Sequence, residues 1–394
     1  MKKSFLFIML MFVLTLAVSS VCSAEDEKPA FFTDEVLALI DENQLMVESL
    51  GYSQLVIPAE LTGYDKSLIP ENPMFVVDTL RAAGFTAYII GGCVRDMILG
   101  ASYNDIDVVS NASYEQMEEI FGEEFHGHIS GGRMFGGVQH NDEYIDLATY
   151  QEVPEAYLGD PMLPEDINPS LFTDAIERDL TFNALYFEPY SGEVIDFFGG
   201  LHDLYNGIVD TIYVPEVEFI ANPTTLIRSL RFAGRFDFEL SERVSDAIRT
   251  VGKENVSLLL PADVKTNLSK CLDAGYADKV YSLLKEYDLM ESFFPGIALC
   301  SDKEAYYEYL DEFMPVLDTT DHSNLSSDEF DAYIFAGILF PRVQELCETM
   351  EPEDAIATAC AEQGQVMKMT DLQELICSNL ETMLLFVPET VPVA

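Results

Sequence analysis

The sequence predicts an α+β protein: a small mixed sheet with helices, followed by a helical neck and a helical C-terminal region. Three observations carry this. Between Asn72 and Ser110 the apolar pattern runs helix, strand, Gly-Gly turn, helix, strand, the opening of a layered fold of helices and strands. Two further strand-like runs surround the turn His140-Asn141-Asp142. From Phe219 onward the apolar residues recur at helical spacing.

The chain opens MKKSFLFIMLMFVLTLAVSSVCSA, with two lysines, an apolar run from Phe5 to Val18 and small residues up to Ala24. This is the layout of a secretory signal peptide. Residues 1–24 are therefore expected to be removed and the mature chain to be secreted or extracytoplasmic. No other run is long and apolar enough to span a bilayer. Residues 25–71 form an N-terminal extension with one helix, Asp34 to Leu50, which Gly51 ends. Tyr52–Asn72, with scattered Pro, Gly and Tyr, reads as loop.

Residues 72–215 are expected to form one head domain. Asn72-Pro73 opens a helix that Gly84 closes, and Phe85–Ile90 is a strand delivering the chain to Gly91. A helix carrying Arg95 and Asp96 follows, then a strand over Asn104–Val109, a short helix over Ser113–Phe121 and a polar, glycine-rich connection over His126–Gly132. The hairpin comes next, with Asp146 in its second strand, either facing solvent or standing beside the earlier acids. Val153–Pro169, rich in Pro, Glu and Asp, reads as an irregular loop. Phe172–Leu185 reads as a helix with Arg178 and Asp179, followed by Asn183; a hairpin, a Gly199-Gly200 turn and a strand over Ile208–Ile212 complete the head.

Residues 216–299 read as a helical neck. In it Arg228, Arg231 and Arg235 follow i, i+3, i+7 spacing and share a helix face. Either they bind an anion or they pair with acids of the same chain. Residues 300–394 continue as an acidic helical region whose Leu and Met stripes read as packing.

Composition narrows the function. Sixty-nine acids stand against 21 bases, a formal net charge of −48. Such a surface repels phosphate backbones, whose binding relies on Lys and Arg displacing counterions. Tight binding of long nucleic acid is disfavoured. Beyond the signal, six cysteines show no CxxC or other zinc-ligand spacing, and they are too widely spaced for a disulfide framework. Cys93, inside the Gly-Gly turn, reads as a packed thiol.

The stretch Tyr88–Ser110 concentrates the chemistry. If Asn104–Val109 is a strand, Asp105 and Asp107 share one face while Ile106 and Val108 enter the core. Two such carboxylates repel unless a cation sits between them, and hard oxygen donors suit Mg2+. Gly91-Gly92 lets the backbone approach a ligand closely, and the helix start that follows offers free N–H groups to phosphate. Metal and a nucleoside triphosphate meeting here is the reading these residues support.

In letters and spacing, Gly91-Gly92-x-Val94-Arg95-Asp96 followed by Asp105-x-Asp107 resembles the signature of the class II nucleotidyltransferases, the bacterial CCA-adding tRNA nucleotidyltransferases and poly(A) polymerases. The similarity continues through Phe135-Gly136, Asp146, Arg178-Asp179-x-Thr181-x-Asn183-Ala184, Asp196-Phe197-x-Gly199-Gly200 and Arg228-Ser229-Leu230-Arg231-Phe232. It covers roughly Asn72–Ile297. The resemblance implies a polymerase-β-like head and transfer of a nucleotide from ATP or CTP to a hydroxyl acceptor, an RNA end in the family. It implies Mg2+ held by Asp105 and Asp107, with Asp146 as a third catalytic carboxylate. It further implies that Gly91, Gly92, Arg95, Asp96, Arg178, Asp179, Asn183, Arg228 and Arg231 bind the nucleotide.

Two features depart from the family pattern. Where it carries Glu-Asp and, three residues on, Arg to read the base edge, this chain has Ala221, Asn222 and Thr225. The basic pair expected before Asp179 is Glu177-Arg178. The expectation is therefore a nucleotidyltransferase with altered base selection; the alternative is an exported, non-catalytic protein binding nucleotide or metal on the same scaffold.

Overall fold

The computed structural model describes residues 29–103, 105–130, 133–150, 170–273 and 275–385. The expected signal segment and the expected irregular loop Val153–Pro169 lie outside the described residues. The chain divides into two compact units, one ending at Ala221 and the other starting at Asn222.

The first unit is built on an eight-stranded sheet. Helix α1 (Asp34–Leu50) starts where the Thr33 side chain accepts from the backbone N–H of Val36, and ends at Gly51 in the left-handed region. Strand β1 (Leu55–Ile57) follows, so the stretch Tyr52–Asn72 is not all loop: β1 pairs with β8 at the sheet edge. Helix α2 (Glu71–Ala82) buries Val76, Val77 and Leu80, and Gly84 at φ +91° turns the chain into β2 (Ala87–Ile90). Helix α3 (Gly92–Ile98) comes next, then β3 (Asp107–Ser110), α4 (Tyr114–Phe121), β4 (Phe125–Ser130), β5 (Arg133–His140) and β6 (Glu143–Thr149). After α5 (Leu171–Ile176) come β7 (Tyr186–Glu188) and β8 (Glu193–Asp196), then α6 (Gly200–Asn206), the two-residue β9 (Ile208–Val209) and α7 (Pro215–Ala221). The sheet order is β1-β8-β7-β2-β3-β6-β5-β4, with β3 and β6 parallel and the other neighbours antiparallel.

Three further expectations need correction. The strand of the two acids is shorter than Asn104–Val109: it begins at Asp107, so Asp105 stands just ahead of it, although Ile106 and Val108 are buried as expected. The connection His126–Gly132 contains β4, whose alternation is hidden by His and Gly but whose backbone pairs along its whole length with β5. Nor is Phe172–Leu185 one helix. It stops at Ile176 because Leu180 bridges Thr211 and the Thr181 N–H donates to the Asp210 carbonyl, tertiary pairings that override helical propensity.

The second unit is helical in its main elements. Helix α8 (Thr224–Phe236) begins after Asn222-Pro223 and buries Leu226, Ile227, Leu230 and Ala233. It is followed by α9 (Glu242–Val256), α10 (Pro261–Cys271), α11 (Ala277–Glu286), α12 (Lys303–Thr319), α13 (Ser327–Leu346), α14 (Pro352–Gln363) and α15 (Gln373–Leu385). Asp318 on α12 accepts from the backbone N–H groups of Gly275, Ala277 and Asp278, capping α11. Arg342 on α13 ties α14 by two hydrogen bonds to Glu362, at 3.0 and 2.8 Å.

Candidate active site of the head

The site starts from a backbone requirement. Gly91 ends β2 at φ +80° and ψ −140°, a conformation that any side chain disfavours. A Cβ placed there would lie 3.6 Å from Asp107 Oδ2 and 3.7 Å from Arg178 Nη1. Bare backbone, one carboxylate and one guanidinium thus meet at a single point.

Each of these groups is held from behind. Ile90 pairs with Asp107 across β2 and β3, which fixes the acid beside the turn. Arg178 donates from Nε and Nη2 to Asp174 Oδ2 at 3.2 and 3.1 Å, and the Tyr186 hydroxyl donates to the same oxygen at 2.8 Å. That grip leaves Nη1 facing Gly91. Arg95 is buried at 4% exposure. It donates from Nε to Asp96 at 2.8 Å and from Nη1 to Asn183 Oδ1 at 2.6 Å, while the Asn183 amide donates to Asp179 at 3.3 Å. Arg95, Asp96 and Asn183 therefore form a buried brace between the turn and the Arg178-Asp179 segment. Cys93 is buried and its thiol donates to the Ile90 carbonyl; burial pushes it up to about 12, so it is a packed thiol as expected.

Asp107 and Asp146 come from neighbouring strands. Val108 pairs with Leu147 in the parallel β3–β6 ladder, so Asp107 and Asp146, one residue earlier in each strand, project from the same face. Burial first, then the charges of Asp146 and Asp105, raise the Asp107 carboxyl to about 6 against the opposing pull of Arg178. Asp146 is raised by burial and by Asp105, with His128 opposing. Asp146 is exposed, as the solvent-facing reading has it, and it is near enough to Asp105 and Asp107 for their charges to act on one another.

This donor set fits Mg2+. It supplies hard oxygens whose mutual repulsion a divalent cation relieves. Among the described residues, no three His, Cys, Asp or Glu side chains stand close enough to close a metal cage by themselves. Mg2+ takes one or two carboxylates and completes its shell with water and phosphate oxygens.

Arg228 and Arg231 belong to the second unit. Their guanidinium groups, with that of Arg235, lie over aromatic rings: Arg231 is 4.5 Å and Arg228 6.0 Å from the Phe232 centroid, and Arg235 is 5.1 Å from that of Phe236. Burial and the neighbouring Arg228 hold Arg231 below the usual guanidinium range, and its buried Nε has no hydrogen-bond partner among the described residues. Of the positions where the family pattern has base-reading residues, Ala221 and Asn222 are exposed and Thr225 is buried in α8.

Two orienting residues went unnoticed in the sequence, Asp174 and Tyr186. The first had a signal: Asp174 stands four residues before Arg178, a spacing that pairs charges across a helical turn. Tyr186 is one of several strand aromatics and had none.

A family model described as the poly A polymerase head domain matches residues 87–210. Poly(A) polymerase I of Haemophilus influenzae is 30% identical over 77% of this chain and 69% of its own length. A CCA-adding enzyme of Ligilactobacillus salivarius is 31% identical over 67% of this chain and 69% of its own. Among solved structures, the Thermotoga maritima CCA-adding enzyme complexed with tRNA superposes with a TM-score of 0.56 at 19% identity, covering 84% of this chain and 86% of that one. That likeness speaks for the fold.

Proposed function

Because this chain belongs to the nucleotidyltransferase family of the poly(A) polymerases and CCA-adding enzymes, we propose that it transfers a nucleotide from ATP or CTP to the hydroxyl end of an RNA acceptor, with altered base selection. The observation that carries the reading is the meeting of Gly91, Asp107 and Arg178 at one point of the head.

Asp105 and Asp107 would hold Mg2+, which when bound lowers the pKa of an attacking hydroxyl and neutralises the triphosphate. The chain's own groups do the positioning. Gly91 and Gly92 admit phosphate against bare backbone, and Arg178 Nη1 offers a donor beside it. Asp179, held by the Asn183 amide, is placed toward the sugar hydroxyls by family resemblance. Asp146, beside Asp107 across β3 and β6, would be a third carboxylate near the metal. Arg95 and Asp96 act through the brace. Arg228 and Arg231 on α8 match nucleotide-binding positions by the same resemblance. The loss of charged groups at Ala221, Asn222 and Thr225 supports weakened discrimination between bases.

The test offers purified protein Mg2+, each nucleoside triphosphate in turn, and short RNAs or small hydroxyl acceptors. Wild type should incorporate nucleotide, and the Asp105→Ala/Asp107→Ala variant should lose at least about a thousand-fold, the scale of removing charge stabilisation from a transition state. Equal background from both sinks the enzymatic reading. Metal-dependent nucleotide binding without incorporation would leave the non-catalytic alternative.

A further inference from the structure

On the side of the carboxylates away from the Gly-Gly turn, the sheet carries an aromatic face that the reaction as described does not use. His128 on β4 and Phe135 on β5 are opposite one another in the ladder, and their rings stack at 5.7 Å and 21°. Tyr144 lies on β6, two residues before Asp146 and so on the same face. Gly137 pairs with Asp146, and a Cβ at Gly137 would lie 2.4 Å from the Tyr144 ring, so the missing side chain makes room for it. The Tyr144 hydroxyl donates to the His126 carbonyl, which steadies the ring. Phe135 is 47% and Tyr144 44% exposed, and His128 is exposed as well. Both Tyr144 and His128 stand close enough to Asp146 to interact with it electrostatically.

The order of the sheet assigns this face to one reactant. Gly91 follows β2, and Arg178 Nη1 reaches the same point, so the triphosphate belongs on the β2 side of Asp107. In phosphoryl transfer the attacking and leaving oxygens lie roughly in line on opposite sides of the phosphorus. The acceptor hydroxyl therefore arrives from the β6-β5-β4 side, where the aromatic face is. We propose that His128, Phe135 and Tyr144 form a stacking platform for the terminal base of the acceptor strand, which holds its hydroxyl beside Asp146. The proposal rests on the nucleotidyltransferase reading. A π-face receives any base without needing positive charge. That suits a chain whose 69 acids against 21 bases disfavour gripping a phosphate backbone by counterion release.

The experiment measures binding of a short 5′-labelled oligoribonucleotide to the full chain by fluorescence anisotropy, with an ordinary and with an abasic 3′-terminal residue. Wild type should bind the ordinary end about tenfold or more tighter, the loss expected of one base stack. His128→Ala and Phe135→Ala, two exposed positions, should each shrink that preference toward unity while calorimetric ATP affinity in Mg2+ stays as in wild type. Variants that keep the preference overturn the platform. So does a wild type that binds both ends equally or neither, and so does an equal fall in ATP affinity. The two readings fail separately: end-preference without nucleotide incorporation spares the platform and removes the enzyme, whereas incorporation without end-preference does the reverse.

Discussion

The guanidinium of Arg95 donates to the side-chain oxygen of Asn183 at 2.6 Å, across 88 residues of sequence, and the same asparagine donates its amide to Asp179. Asn183 must both accept and donate, and only an amide of this length does both. Asn183→Ala should cost about 2 kcal/mol in urea denaturation, the scale of a buried hydrogen bond to a charged group. Asn183→Asp should also destabilise, because a second carboxylate would then face Asp179. An aspartate variant as stable as wild type would show that the brace is only an ion pair to Arg95.

Gly91→Ala separates backbone from space. The methyl would meet Asp107 Oδ2 at 3.6 Å, an ordinary contact, but the backbone at φ +80° and ψ −140° is essentially glycine's alone. The variant should lose about 1–3 kcal/mol of stability. It should also raise KM for the nucleoside triphosphate more than KM for the acceptor, because the turn shifts away from Asp107 and Arg178. A stable variant with unchanged kinetics would remove the turn from the site.

What could be read in advance follows from where each signal sits. The Gly91-Gly92 turn and the Asp105–Asp107 pair are local, carried by residue types whose backbone or charge has few other uses. Asp146 was visible as an acid in a strand, but its company depends on the pairing of Val108 with Leu147, a long-range contact. The Arg178-Asp179 segment reads as helix in the sequence because its spacing is helical. Its true shape is set by Leu180 and Thr181 pairing with Thr211 and Asp210. Strand β4 escaped because Phe125–Ser130 sets His and Gly where apolar residues would mark a period, and β5 alone makes it a strand. Strand β1 is only three residues long, too short for any period to show.

The second unit has its own acid sensitivity. Glu345 accepts from the Ser301 N–H at 2.8 Å and from Arg342 Nη1 at 2.5 Å. Burial pushes its carboxyl up, but hydrogen bonds from Ser301 and Cys300, joined by Arg342, outweigh that and hold it at about 2. A carboxyl depressed on folding contributes stability that is complete above its unfolded value, near 4.5, and is lost as pH falls toward 2. Thermal midpoints recorded between those limits should fall more steeply for wild type than for Glu345→Gln, which has no such charge to lose. Parallel curves would show that the acid limb belongs to other carboxylates.

The base-reading positions lead to the sharpest kinetic expectation. A site built to hydrogen-bond one base rejects another by on the order of 10⁴, because its buried polar groups would be left unpaired. Here the position that carries Arg in the family pattern is Thr225, fully buried in α8, whose carbonyl accepts from the Ser229 hydroxyl at 2.8 Å. The position has become part of the helix core, so Thr225→Arg would bury a charge in packed surroundings and is expected to destabilise before it selects. Ala221→Glu with Asn222→Asp changes only exposed residues and is the cleaner graft. Wild type should show kcat/KM for ATP and CTP within about tenfold of each other, and the graft should widen that ratio. A wild-type ratio above about a thousand would mean that selection is intact and is made by residues other than these three.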